Sequence, residues 1–447
     1  MNNLPASSEK ENSTSIRDAG SGLLFLSLIS LGYLIPTQTI TGAGTAYILY
    51  YTALTICMVW IWFFQKLNFS ALLLIGVIAR IILLPAPFIT SNDAERYLWD
   101  GAVFLSGFDP YLTSPNDLDG LEIRNQWATP PEHAPYATIY PPGAITLFSI
   151  SALAGPVYGV WAWKTLITLA SILSVLIMGA LIKQKALHRH FAFFALSPLL
   201  ILETGIGGHL DSFLVLSVIT ALWALVNHKL KFAGLAIGLG SVVKFLPLLL
   251  LWPILLSRSL RHSLQVGISA GGVILAFYGL FLSKGIVPIG VIPVFLEKWR
   301  GGAPLFTSLE ALLPSHFLVA VLALIASGLF ILAGRLALRG QIIMSMMVSL
   351  AIPLIISPVV FPWYLSILIP FLTLRPSLTL LIWVSTLPLT YEVLDLWIGS
   401  KVWEPASWPL FVIAGSALMA LIVDIMGDPL QIKPPRTSGK KNFKTPA

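Results

Sequence analysis

Apolar runs of about 17 to 25 residues recur along this chain, and each is long enough to cross a hydrocarbon core about 30 Å thick as a helix. In lipid every backbone N–H and C=O must be paired within the protein, so a chain built from such runs folds as a helical bundle. The runs lie near 20–37, 43–65, 69–89, 158–182, 190–206, 209–227, 264–283, 316–336, 341–358, 361–374, 377–394 and 408–426. Only 11% of the 447 residues are charged and 56% are apolar, against roughly 25% charged in a soluble domain. The net charge of +7 is spread over short loops, which argues against a nucleic-acid partner. The single cysteine, Cys57, lies inside a run and can build neither a disulfide framework nor a cysteine metal site. No A-x-A-like cleavage motif follows the first run, which predicts a retained helix after a cytoplasmic tail over 1–19.

Two segments do not read as simple crossings. "PPGAITLFSISALAG", 141–155, is short and ends at Gly155-Pro156, which predicts an interfacial or re-entrant helix. Residues 232–256 carry "GSVVKFLP" in their middle and read as two half-helices that enter and leave on one face. With both choices made, the basic loops fall on one side, and 18 of the 27 Lys and Arg face the cytoplasm. The 90–140 loop then lies outside with 8 of the 20 acidic residues and only Arg96 and Arg124 as cations. Further external segments follow at about 284–315 and around Asp395 to Trp408. The 427–447 tail, rich in Lys, Pro and Ser, reads as disordered at an anionic cytoplasmic membrane face. The expected fold is all-α and polytopic, one membrane domain over 20–426 with both termini cytoplasmic and no inverted repeat.

The densest charge lies in "SNDAERYLWDG", 91–101. As a helix over 92–106, capped by Ser91 or Asn92, it places Asp93, Arg96, Tyr97 and Asp100 on one face. An amphipathic surface helix with internal ion pairs has the same spacing. Tyr97 and Trp99, however, favour the bilayer boundary, and "GFDPY" at 107–111 turns the chain back over the helix, a setting suited to a substrate that is part lipid and part polar. Charges within spans cost roughly 2.5–3.5 kcal/mol. Lys244, at the bend of the half-helix pair, points to a bound anion such as a phosphate, with a snorkelling or internally paired lysine as the alternative. Arg80 and Lys164 read as paired or snorkelling. In "ETGIGGHLD", 203–211, the glycines permit a tight turn that faces Glu203, His209 and Asp211 into one cavity, as a hydrogen-bonded network more readily than a metal site. "EKWRG", 297–301, offers Trp299 and Arg300 for a sugar or phosphate. "FPWY", 361–364, adds an aromatic rim.

Taken in order, "SNDAERYLWDG", "GFDPY", "TIYPPGA", "GHLD", "VVKFLPLLLLWP", "FLEKWRGGAPLF" and "FPWY" resemble the bacterial GT-C glycosyltransferases of the mannosyltransferase-like kind, over about 75–375. The resemblance implies a GT-C-like bundle of about twelve spans with a large first extracytoplasmic loop, in the bacterial cytoplasmic membrane. It implies transfer of a hexose, mannose by default, from a polyprenyl-phosphate donor to an extracytoplasmic glycolipid, glycan or protein acceptor. An acidic residue of the first external loop lies near the reacting centre in that family, a role that maps onto Asp93. The family's Ser-Asp-Asp-aromatic pattern departs here to Asn92 and Glu95, and Gly301 stands where an Asn follows the Trp-Arg pair. On this reading Asp93 is the base and Asp100 its understudy, while Lys244, Arg300 and Arg96 hold the lipid phosphate. His209, Asp211 and Glu203 orient sugar or base, Tyr97, Trp99, Tyr140 and Trp299 contact substrate, and neither metal nor cofactor is required. A flippase for a lipid-linked sugar is the main alternative, and a non-catalytic scaffold the other. One-sided charge favours the enzyme.

Overall fold

The computed structural model describes residues 19–35, 42–64, 67–127, 129–185, 188–400 and 405–427. Most of the expected N-terminal tail and nearly all of the C-terminal one lie outside the described residues, as do Lys66 and Lys401. Among the described residues six helices are long and apolar enough to cross a membrane: Ala43–Phe64, Gly155–Lys183, Leu260–Ser283, Ser315–Leu338, Leu378–Asp395 and Trp408–Met426. Among the described residues there is no strand, only a single bridge between Gly301 and Val359.

The other expected spans are shorter or broken, and proline accounts for most of the breaks. The 69–89 run is helical only over Phe69–Ile82, because Pro85 and Pro87 follow closely. The 190–206 run divides at Ser197-Pro198, where the Ser197 hydroxyl accepts a hydrogen bond from Leu200 N and the chain restarts as Pro198–Gly205. The 361–374 run starts as 3-10 turns, Pro362–Leu368, before the α-helix Ile369–Leu374, and Pro388 introduces a 3-10 stretch after Leu378–Thr386.

The expected short helix is Pro142–Ala152. It crosses Asp93–Leu105 so closely that a Cβ on Gly101 would lie 2.4 Å from the carbonyl carbon of Phe148. The Tyr97 ring stacks on Phe148 at 4.5 Å and meets the edges of Tyr140 and Trp163. The half-helix pair appears as Leu230–Ser241 and the turns from Leu246 to Ser257, broken at 242–245. Gly143 N donates to Val242 O at 2.8 Å, so the short helix anchors the break that carries Lys244.

Buried polar groups elsewhere have clear structural tasks. Arg80 donates to Ser171 Oγ at 2.8 Å and to the carbonyls of Gly76 and Ala195, and Lys164 donates to the carbonyl of Ala86. Asp395 accepts from Gly44 N and Thr45 N at the start of the 43–64 helix. Asp424 does the same for Leu378 N and Thr379 N, each carboxylate meeting the positive end of a helix dipole.

Candidate active site

Segments far apart in sequence, all assigned to one membrane face by the charge pattern, line a single cleft. Thr90 to Tyr97, Glu132 to Tyr140, Lys244, Val291 to Trp299, Phe361 to Tyr364, Leu394 and Trp397 contribute to it. It encloses about 1210 Å³ of empty space, open solvent at its mouth included. Aromatic rings form much of the wall, with a few polar groups among them, as in sites that take a largely apolar ligand in one orientation.

Asp93 is the first residue of the 93–105 helix, with its backbone N–H taken by Ser91 Oγ at 3.0 Å. Its carboxylate is 22% exposed and faces the cleft. Tyr97 OH donates to Oδ2 at 3.3 Å, one helical turn on. His209 Nδ1 lies 3.5 Å from Oδ2, and His133 Nε2 lies 3.9 Å from Oδ1. Burial alone would raise this carboxyl. The contact with His209, followed by the charges of His209, His133 and Lys244, outweighs burial and holds it below the usual aspartate range.

Beneath Asp93 the turn after Pro198–Gly205 delivers the next layer. His209 is fully buried, stacked on Trp363 with ring centroids 3.7 Å apart, and its Nε2 lies 3.4 Å from Glu203 Oε2. Glu203 Oε1 accepts from Tyr47 OH at 3.1 Å and Tyr391 OH at 2.8 Å. Gly207 makes this possible, since a Cβ there would fall 2.6 Å from Glu203 Oε2 and 2.7 Å from His209 Cδ2. Asp211 opens the next helix and holds Lys244 Nζ with both oxygens at 3.0 Å. Lys244 also lies 4.4 Å over the Tyr364 ring.

Of the residues expected at the site, Asp93, Arg96, Tyr97, Tyr140, Lys244 and Trp299 line the cleft. Glu203, His209 and Asp211 are brought together below it, touching Asp93 and Lys244 rather than its open space. Three others are placed elsewhere. Asp100 is 1% exposed and committed to Arg96 Nε at 2.8 Å and Thr138 Oγ1 at 2.6 Å, which leaves it as the partner of Arg96, not an understudy to Asp93. Burial raises its carboxyl even against the Arg96 charge. Trp99 is fully buried, with the Arg124 guanidinium 5.9 Å from its ring, so it packs the helix instead of anchoring it at the bilayer boundary. Arg300 pairs with Glu310 at 3.0 Å and donates to the carbonyls of Leu296, Glu297 and Trp299, which closes the end of the Ile292–Lys298 helix.

His133, Glu132 and Tyr136, which no motif above singles out, also stand in the cleft wall, as does Lys298, the external lysine of "EKWRG", to which no role was given. Lys298 Nζ donates to Tyr136 OH at 2.8 Å. Asn92 Nδ2 donates to Glu132 Oε1 at 2.6 Å, and Arg96 Nη1 donates to His133 O at 2.9 Å. The signal that could have found the first three is the run "PPEHAPY", in which three prolines hold an acid, an imidazole and a phenol in a fixed turn. Among the described residues no three His, Cys, Asp or Glu side chains are grouped as metal ligands would be.

The long apolar helices make this an integral membrane protein, with a carboxylate in the wall of its open cleft. A family model described as glycosyltransferase family 87 matches residues 138–289, a segment that includes Tyr140, Glu203, His209, Asp211 and Lys244. That family is of the GT-C type, in agreement with the resemblance carried by the motifs, and the match supports a membrane glycosyltransferase. Neither a curated protein nor a solved structure matches the chain.

Proposed function

We propose that the protein transfers a hexose, mannose in the first instance, from a polyprenyl-phosphate donor to a glycolipid, glycan or protein acceptor on the extracytoplasmic face of the bacterial cytoplasmic membrane. The observation that carries this reading is the position of the Asp93 carboxylate, held toward its ionised form, in the wall of an aromatic cleft that Lys244 also lines. In the reaction an acceptor hydroxyl oxygen bonds to the anomeric carbon while its proton passes to Asp93, and the bond to the phosphate oxygen breaks. A single displacement inverts the anomeric centre, so a β-linked donor gives an α product.

The departing lipid phosphate needs positive charge. Lys244 lines the same cleft as the base, although Asp211 neutralises much of its field at rest. Lys298 supplies a second, since its hydrogen bond runs to a neutral phenol. It stands beside Val291, Val294 and Phe295, side chains suited to the first isoprene units. The Trp299 and Tyr364 rings offer flat faces for the sugar. Arg300 is left out of the phosphate site because Glu310 already holds it.

Transfer of radiolabelled sugar from synthetic polyprenyl-phosphate sugars into membrane extracts tests the reading. Wild-type protein is expected to transfer from one donor, and Asp93→Asn to lose about 10²–10⁴-fold in rate, the share of general base catalysis, with donor binding kept. No transfer from any donor, together with passage of the lipid-linked sugar across liposome membranes, would replace the enzyme by a flippase.

A further inference from the structure

Two helices that lead away from the cleft enclose a furrow at the opposite membrane face. We propose that this furrow binds one phospholipid with a net-negative headgroup, taken from the cytoplasmic leaflet. The furrow lies apart from the cleft, so the proposal stands whatever reaction the cleft performs.

The two helices are Leu230–Ser241 and Leu260–Ser283. The first ends just before the break that carries Lys244, and the second ends shortly before Val291; both of those residues line the cleft. At about 1.5 Å per residue, the 12 residues of the first helix put its start roughly 18 Å from that break, on the side that the charge pattern assigns to the cytoplasm. The helices touch backbone to backbone. A Cβ on Gly234 would lie 2.3 Å from Val266 O, and one on Gly238 would lie 2.8 Å from Ala270 O. Side chains beside this seam therefore wall a furrow of about 800 Å³, its open side included.

The lining is ordered by depth. Lys231 and Arg261, the second residue of each helix, stand at the outer end. Neither makes an ion pair with a described residue, and the sequence holds no Asp or Glu between Asp211 and Glu297. Gln265 lies one helical turn deeper, about 6 Å. It is half-buried, lines the furrow and makes no side-chain hydrogen bond to a described residue. Leu260, Leu264 and Ile268, at i, i+4 and i+8, form an apolar stripe and are 68%, 50% and 70% exposed.

A phospholipid presents the matching order: phosphate outermost, ester carbonyls next, acyl chains within. Its phosphate meets Lys231 and Arg261. The Gln265 amide donates to an ester carbonyl, which spares it the cost of an unpaired amide in hydrocarbon. One acyl chain lies along Leu264 and Ile268. Two cations with no acid near them select a net-negative headgroup, because the choline of a zwitterionic lipid would bring a third positive charge beside them.

Native mass spectrometry of the full chain in detergent micelles, titrated with phosphatidylglycerol or with phosphatidylcholine of the same acyl chains, tests the site. Wild-type protein is expected to bind phosphatidylglycerol the more tightly. Lys231→Gln combined with Arg261→Gln should weaken that binding about thirtyfold, at roughly fivefold per cation near the membrane surface. Arg335→Gln combined with Arg339→Gln removes the same charge from the end of another helix on the same face and should leave binding unchanged. Equal losses in the two double variants show a diffuse field in place of a site, and equal binding of the two lipids by wild type shows an apolar surface that ignores the headgroup; either overturns the proposal. Phosphatidylglycerol with a photoreactive group along one acyl chain reads the position in wild-type protein, free of any effect of substitution on folding. Label on residues 260–269 is expected, and label confined to other helices refutes the site. Preferential displacement of phosphatidylglycerol by polyprenyl phosphate would make the furrow a carrier-lipid site and overturn the proposal as well.

Discussion

Lys244 and Asp211 separate structure from catalysis when they are changed together. At 3.0 Å and an effective dielectric of about 20, their Coulomb attraction is about 5.5 kcal/mol. Lys244 keeps 19% of its side-chain exposure and Asp211 only 4%, so the cost of Lys244→Met is mainly that of leaving Asp211 charged and buried. Removing one partner of a buried pair costs about 3–5 kcal/mol, and the partial exposure of the lysine puts the expectation at about 3 kcal/mol. Adding Asp211→Asn removes the stranded charge and should recover most of that loss, within about 1 kcal/mol for the weakened helix N-terminus. If Lys244 meets the leaving phosphate, the double variant melts near wild type in detergent yet transfers sugar about 10²–10³-fold more slowly, the usual effect of losing one electrostatic stabiliser. Thermal unfolding and the radiolabel assay on the same preparations read both quantities. A single variant that melts like wild type, or a double variant that transfers at the wild-type rate, refutes the argument.

Because Asp93 is held below its ordinary range, kcat/KM for transfer should stay level as pH falls to about 3.9, the unperturbed aspartate value, and drop only below it. The stability that its ionised form contributes follows the same sign, present above about pH 3.9 and lost as pH falls through the depressed native value. Asp100→Asn leaves Arg96 without its charge partner in a buried position and should cost about 3–5 kcal/mol in a melt, with transfer per folded molecule nearly unchanged. Arg300→Ala removes a pair whose side chains are 36% and 40% exposed, so melting should shift by less than about 1 kcal/mol and donor binding should hold; a large loss of donor affinity would return Arg300 to the phosphate site.

The bundle, the 93–105 helix, the short helix after the Tyr-Pro-Pro segment and the break at Lys244 were legible in the sequence, because each rests on a local rule of apolar length, capping or proline. Asp93 was legible for the same reason, lying at a helix start on a polar face. The division of labour around it was not. Asp93 and Asp100 share one helix face, but the second is buried and held by Arg96 and Thr138 while the first stays open to the cleft. Lys244 invites a phosphate in sequence, but Asp211, 33 residues away, meets it first. His133 and Lys298 belong to segments with no periodic pattern, and what brings them to the cleft is tertiary, Arg96 holding one by its carbonyl and Tyr136 the other by its phenol.

Three of the long helices, 260–283, 315–338 and 408–426, have only 17%, 22% and 17% of their apolar windows buried within the protein. With so much of their surface turned away from the protein, their outer faces depend on hydrocarbon for van der Waals contact. The helix before His209, Pro198–Gly205, is buried throughout and carries its own packing wherever the protein is placed. Lipid therefore behaves as a missing outer layer of this fold: stripping it should loosen the periphery first, and with it the reach of the 291–299 segment over the cleft, while the buried row behind Asp93 stays intact. A preparation in thin detergent can thus retain its helicity and its buried charges and still lose the wall against which a long-chain donor would lie.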